Sequence, residues 1–309
     1  MEYTFSTANE AFCVLYDDLG RDFNNHEIDD FYQSKPRGRK CNESIGITIK
    51  ILEPQNCLVW TKVRCLSPIY FAKEHLWYLN GSRHVEDAPA KIWNSLANKD
   101  GDEIGLINSN YGHYIFTQKD NKNPNLNVFD ATVELLKKDK DSRQAIWQIP
   151  IMKHRQDDDT PCTSSLHFFI RDNKLYCTVY MRSCDCWFGF ANDISQFIIW
   201  QMMLAKELNV ELGWYRHVFG SFHVYEENFI TDNEKYMSDM NETYLKGNEN
   251  IPYPKYYDNR NYREILSEIK HDFEILTSVS RDDILKNNTL KNEELRYMLK
   301  NMQVSKFIH

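Results

Sequence analysis

The sequence predicts an α+β domain. Three observations carry that expectation. Isoleucines alternate with other residues at Ile45, Ile47, Ile49 and Ile51, the period-two pattern of a half-buried strand. The segment from Ile194 to Leu208 is apolar nearly all round, as a buried helix is. Helical and strand patterns interleave without a regular βαβ period, which favours α+β over a doubly wound sheet.

The elements follow in chain order. Residues Ser44 to Leu52 read as a strand. Ser67 and Pro68 suit the N-cap and first turn of a helix that runs through Phe71 and Leu76 and stops at Gly81. Val128 to Lys138 reads as a second helix. Leu166 to Ile170 and Leu175 to Met181 read as strands joined by a turn at Asp172-Asn173. The buried helix over 194–208 follows, then a strand from Trp214 to Tyr225. From about Tyr262 the pattern allows two or three amphipathic helices. No repeat and no Gly/Ser- or Pro-rich linker divides the chain, so one continuous domain over 1–309 is expected. Its core covers about 35–230, and 231–309 forms a C-terminal, partly helical extension.

Composition narrows the class. The chain has 309 residues, 42% hydrophobic and 27% charged, which is globular and long enough to bury a core without disulfides. Mean hydropathy is −0.62. The longest near-apolar run, Phe197 to Ala205, is interrupted by Gln201 and falls short of the ~20 residues a membrane span needs. The first ten residues lack a basic region followed by an apolar one, so no secretory leader is expected. A cytoplasmic location with reduced thiols is the expectation for the eight cysteines. The net charge of −8 disfavours nucleic acid as a partner, so a phosphate would have to be met by a few local arginines. Cys184 and Cys186 lack a second Cys or His pair at zinc spacing, and no metal site is expected.

Several residues could carry chemistry, each with a plainer structural reading beside it. Cys162, after Pro161 at the mouth of a strand, suits a nucleophile or a buried structural thiol. Arg182 and Ser183 at a strand end could bind a phosphate or simply face solvent. Asp141-Ser142-Arg143 offers a second phosphate contact. Asn192 or Asp193, opening the buried helix, could be its N-cap. His223 and Tyr225 share one face of a strand and could be core residues or ligands. Glu74 lies within an apolar helix, where a carboxylate would have a raised pKa and could move protons.

Taken in order, these pieces resemble the thymidylate synthase family across roughly residues 35–230. Glu74, in Glu74-His75-Leu76-Trp77-Tyr78, is similar to the family's catalytic glutamate. Trp93, after Ile92, resembles its active-site tryptophan, and Tyr111, in Asn110-Tyr111-Gly112, its tyrosine. Pro161-Cys162 resembles the nucleophile segment. Arg182-Ser183-x-Asp185-x-x-x-Gly189 resembles the phosphate and folate segment, and His223-x-Tyr225 the pair that holds the sugar hydroxyl. The chain also departs from the common pattern. Thr163 follows the cysteine where His is usual, Met181 precedes Arg182 where Gln is usual, and Gln144 follows Arg143 where a second Arg is usual. Eleven residues beyond Arg182, where the family has Asn, stands Asp193. Together with Ile107-Asn108-Ser109-Asn110-Tyr111-Gly112 and Phe188-Gly189-Phe190-x-Asn192-Asp193, these departures are similar to the phage-type deoxycytidylate hydroxymethylase branch.

The resemblance implies a large mixed sheet packed with helices, a symmetric homodimer with shared sites, and 5,10-methylenetetrahydrofolate as co-substrate with a pyrimidine nucleotide. It implies Cys162, Glu74, Tyr111 and Asp193 as the catalytic set, with an arginine lowering the thiol pKa. Arg37, Arg182 and Ser183 would bind phosphate, with Arg143 supplied by the partner chain; Arg39 is the alternative to Arg37. His223 and Tyr225 would hold the sugar hydroxyl, while Trp93, Asp185 and Gly189 would face the folate. The expected activity is hydroxymethylation of dCMP. CMP or dUMP as substrate, C5 methylation, and a silent nucleotide-binding relative are the competing readings.

Overall fold

The computed structural model describes residues 2–25, 31–59, 64, 68–228 and scattered positions between 271 and 291. Its centre is an eight-stranded mixed sheet in the order β1-β4-β8-β7-β6-β5, with β3 also on β8 and β2 on β3. The strands are β1 (Glu2–Phe5), β2 (Phe31–Ser34), β3 (Cys41–Ile45), β4 (Thr48–Ile51), β5 (Ile146–Gln148), β6 (Thr163–Arg171), β7 (Lys174–Asp185) and β8 (Glu211–Tyr225). Among the described residues, the full helices that accompany them are α1 (Ala8–Asn25), α2 (Pro68–Asn80), α3 (Val128–Lys138) and α4 (Ala191–Leu208). The β1–β4 and β7–β8 pairs are parallel and the others antiparallel, so the sheet is mixed as expected.

The single strand expected over 44–52 is two strands. Gly46 takes φ +74°, a left-handed conformation open to glycine, and its N–H bonds the Gly220 carbonyl at 3.0 Å. The chain thus jogs and pairs with β8 twice, β4 along Tyr215–Val218 and β3 along Ser221–Tyr225. The turn between β6 and β7 falls on Asp172 and Asn173, both at positive φ, which suits a tight two-residue hairpin. Helix α2 stops at Gly81, also at positive φ, whose N–H returns to the Trp77 and Tyr78 carbonyls. The Ser67 cap and the amphipathic helices of the tail lie outside the described residues, apart from the scattered positions named above.

The four helices pack on one face of the sheet. Helix α4 carries the chain across from β7 to β8 and packs on both, with α1 and α3 beside it. Its expected all-round burial is observed, and Trp200 lies among Tyr78, Phe116, Phe197 and Trp147 in the aromatic core. The opposite face of the sheet is more open. Tyr176 and Tyr180 of β7 alternate there with buried Leu175, Cys177, Val179 and Met181, and Trp214 of β8 packs against Tyr176. Among the described residues, no helix is long and apolar enough to cross a membrane.

One contact sets the position of Tyr111. The Asn110 amide donates to the Trp77 and Ser82 carbonyls, clamping 107–112 onto the end of α2. Gly112 lies so close that an added Cβ would fall 1.8 Å from the Tyr78 carbonyl oxygen. Backbone on both sides cannot yield, so Gly112→Ala is expected to destabilise the fold by about 3 kcal/mol, read as a lower denaturant midpoint.

Candidate active site

Cys162 sits at the mouth of β6, and β7 holds it there. The Arg182 backbone N–H donates to the Cys162 carbonyl at 2.9 Å. The Arg182 guanidinium grips the preceding turn, donating to the Pro161 carbonyl at 2.9 Å and the Thr160 carbonyl at 2.7 Å. The residue expected to bind phosphate therefore also braces the cysteine loop. A second brace was not anticipated. Buried Asp159 accepts from the Ser109 N–H at 2.7 Å and the Ser109 hydroxyl at 2.5 Å, while Asn108 donates to the Asp159 carbonyl. These bonds fasten the Cys162 loop to the segment carrying Tyr111. Asp159 belongs to the run Asp157-Asp158-Asp159, which reads as a solvated acidic face, so its burial left no signal in the sequence.

The expected pull of a neighbouring arginine on the thiol is present, from Arg182 and Arg37, but it does not set the net shift. Burial, with the charges of Asp193 and Asp159, pushes Cys162 up to about 11, against the pull of Arg182 and Arg37. In this state the thiol keeps its proton at neutral pH.

Tyr111 and Asp193 converge on this cysteine. Tyr111, stacked on Tyr78 at 5.7 Å, is buried and feels the charges of Cys162 and Asp193. Asp193 lies in the first turn of α4, its carboxyl held far above the usual range by burial and by Glu74 and Asp185. Neither Asn192 nor Asp193 is the N-cap. Helix α4 starts at Ala191 after an uncapped Phe190, and Asn192 turns back to donate to the Phe188 carbonyl at 2.8 Å. The capping is done by Asp185, which accepts from the Trp187 and Phe188 N–H groups of the preceding turn. Among the described residues, none hydrogen-bonds the Asp193 carboxyl. A half-buried acid without a structural partner is what a ligand-reading group requires.

Glu74 is buried on α2. Tyr70 donates to its Oε1 at 2.9 Å and Gln196 to its Oε2 at 3.4 Å. Burial nevertheless raises its pKa to about 7. Gln196 lies three residues beyond Asp193, hence on the same side of α4, but helical spacing does not reveal its pairing with Glu74 on α2. The folded state thus holds the Glu74 proton more tightly than an unfolded chain does. Ionising it costs stability as pH rises from about 4.5 to 7, reaching about 3 kcal/mol above that. Glu74→Gln is therefore expected to melt higher than the parent at pH 8 and equally at pH 4, measured by thermal scans at both.

Strand pairing assembles the other side. Parallel β7 and β8 place Ser183 beside Ser221 and Asp185 beside His223, and β3 places Glu43 opposite His223. Burial lifts Asp185 to about 6 and lowers His223 to about 4. Tyr225 meets His223 edge-on at 5.1 Å. The two candidate arginines take different positions. Arg39 lies over the Tyr225 ring at 3.7 Å with its Nε on Glu227, whereas the charge of Arg37, exposed and at φ 52°, reaches Cys162. Gly189 lies against Asp193 and Asp185, where an added Cβ would be 3.5 Å from Asp193 Oδ2. Trp93 packs on Trp77 at 5.1 Å beside the Tyr70 hydroxyl. Arg143 is not part of this cluster. It is exposed near the β5 edge, its carbonyl taken by His167 at 3.0 Å.

A mixed sheet covered by helices, with a cysteine, a tyrosine and three acids gathered near the ends of β6 and β7, is an arrangement that suits a nucleophile with acid–base groups beside it. The family model for thymidylate synthase matches residues 38–276, and the chain belongs to that family. It is similar to the bifunctional dihydrofolate reductase-thymidylate synthase of Paramecium tetraurelia, 30% identical over 204 residues. That match covers 59% of this chain and 41% of the relative. A second relative is the thymidylate synthase of Vesicomyosocius okutanii subsp. Calyptogena okutanii (strain HA), 28% identical over 179 residues. There the match covers 56% of this chain and 64% of the relative, so the chain spans under two thirds of either.

Proposed function

We propose that this chain is a one-carbon transferase that hydroxymethylates C5 of a cytosine nucleotide, dCMP in the first instance. The observation that carries the reading is Asp193, a half-buried carboxyl beside Cys162 and Tyr111 with no cap to make. Cytosine offers an amino group at C4 and an acceptor at N3. Asp193 accepts from that amino group whether ionised or protonated, and when protonated it also donates to N3. The O4 of uracil finds a donor there only while the carboxyl keeps its proton, and is repelled otherwise. Cytosine is therefore the better match.

The co-substrate of the proposal, 5,10-methylenetetrahydrofolate, supplies a one-carbon unit at the oxidation level of formaldehyde. The residues suit it. Asp185 offers a carboxylate to a ring N–H, Gly189 leaves space beside it, and Trp93 and exposed Phe188 offer flat apolar surface. Cys162 Sγ adds to C6 of the ring, so its proton must leave as the bond forms. C5, made nucleophilic, bonds to the one-carbon unit; departure of tetrahydrofolate, as the carbon–nitrogen bond breaks, and loss of the C5 proton leave an exocyclic methylene. Water adds to the exocyclic carbon, oriented by Tyr111 and by Glu74, whose pKa near neutrality lets it hold or release a proton. The Cys162–C6 bond then breaks. Arg37, Arg182 and Ser183 bind the phosphate, and His223 with Tyr225 holds the sugar hydroxyl. The exposed Arg143 and the sheet face that is more open among the described residues support a homodimer in which Arg143 serves the partner's phosphate.

The test is turnover of dCMP, CMP and dUMP in separate reactions, with products weighed by mass spectrometry. Addition of CH2O to a cytosine nucleotide is expected. Addition of CH2 instead would make the enzyme a methylating synthase, and turnover of dUMP alone would overturn the role given to Asp193.

A further inference from the structure

Deeper in the site, a chain of three polar side chains leads from solvent to the sugar-binding edge. Ser221 and His223 are two residues apart on β8 and so face the same side of the sheet. Glu43 on β3 is in register with His223 and diagonal to Ser221. The Ser221 hydroxyl lies 2.6 Å from Glu43 Oε2 and 3.4 Å from His223 Nδ1.

The number of protons decides how these bonds run. A serine hydroxyl has one hydrogen, and an ionised carboxylate can only accept. The short contact to Glu43 takes that hydrogen. Ser221 Oγ can then only accept from the imidazole, so the ring hydrogen must sit on Nδ1. His223 is buried, and its pKa of about 4 leaves a single ring proton at neutral pH. The charged neighbours pull in both directions: Glu43 favours the imidazolium and Arg39 opposes it. Asp185 is in register on the other side, and Tyr225 meets the ring edge-on. Among the described residues, none bonds Nε2.

We propose that Glu43 and Ser221 are positioning residues that lock His223 as its Nδ1–H tautomer, presenting Nε2 as an acceptor for a ligand hydroxyl. The inference rests on the reading of His223 as the sugar contact for its consequence, but not for the tautomer itself. A site arranged this way selects a nucleotide that can donate a hydrogen bond from its 3′ position. It would reject one with hydrogen there.

Two measurements on the full chain test it. The first is 13C and 15N NMR of histidine-labelled protein, with His223 assigned by its absence in His223→Gln. The parent should show Nδ1–H; Nε2–H there would overturn the proposal. Glu43→Gln and Ser221→Ala should populate the other tautomer, and an unchanged tautomer in both would also overturn it. The second is calorimetric binding of dCMP and its 2′,3′-dideoxy analogue. The parent should prefer dCMP, and each variant should lose most of that preference, about tenfold for one hydrogen bond. The dideoxy affinity should change by less than about twofold. Equal loss for both nucleotides would mean a merely structural role and would overturn the specificity claim. Glu43→Gln keeps the shape of the side chain, so the test survives if Ser221→Ala folds poorly. If neither nucleotide binds, the functional reading fails while the NMR result still decides the tautomer.

Discussion

Asp193→Asn is expected to reverse the base preference of the enzyme. The parent should turn over dCMP with a kcat/KM far above that for dUMP. The amide of the variant has a fixed donor and a fixed acceptor, which can accept from N3–H of uracil and donate to its O4. It can no longer serve cytosine by shifting a proton. Sites that read a base through buried polar groups discriminate by about 10³- to 10⁵-fold, because a mismatch leaves those groups unpaired. The ratio of kcat/KM for dCMP over dUMP should fall by a factor in that range, most of it through loss of dCMP turnover. The change should also lower the pKa of Cys162, since Asp193 is one of the charges that raise it. Alkylation of the Cys162 peptide, followed by mass spectrometry against pH, would show that shift without any substrate present. Should Asp193→Asn turn over dCMP as before, the carboxyl is not the base reader.

Cys162→Ala is expected to abolish turnover, by about 10⁴-fold or more, while nucleotide binding falls little. The thiol forms the bond to C6 that makes C5 reactive, and the neighbouring thiol of Cys184 is buried, with its pKa pushed well above the ordinary value. A nucleotide with fluorine at C5 cannot lose a proton there. It should stall on the parent as a covalent adduct that survives denaturation, seen as a mass increase, and leave Cys162→Ala unlabelled. Labelling of the alanine variant would place the nucleophile elsewhere. Because the free thiol sits near pKa 11, adduct formation should require both ligands.

The site was legible from the order of its pieces rather than one residue at a time. Cys162, Glu74 and Asp193 each allow a plain structural reading alone, Tyr111 and Asp185 enter only with the family resemblance, and folding brings these groups to one region. The supports were not legible. Asp159 and Ser109 lie fifty residues apart, and Gln196 and Glu74 lie 122 apart, with ordinary neighbours in sequence. Only folding makes them partners. The reading of Asn192 or Asp193 as a helix cap failed for a related reason: Asp185, ahead of the helix, already satisfies the free N–H groups of the preceding turn. The single strand over 44–52 failed because alternation continues across Gly46, where one left-handed residue breaks the ladder without disturbing the apolar pattern.

Local chemistry was therefore determined by the sequence itself: which residues can attack, accept or donate, and which segments form helix or strand. Residue type and period are local properties, and they suffice for that. The tertiary structure decided the protonation of the site, which of Arg37 and Arg39 is near the cysteine, and what braces the reactive loop. Those depend on burial and on distances between segments remote in the chain, where desolvation outweighs the pull of a neighbouring arginine.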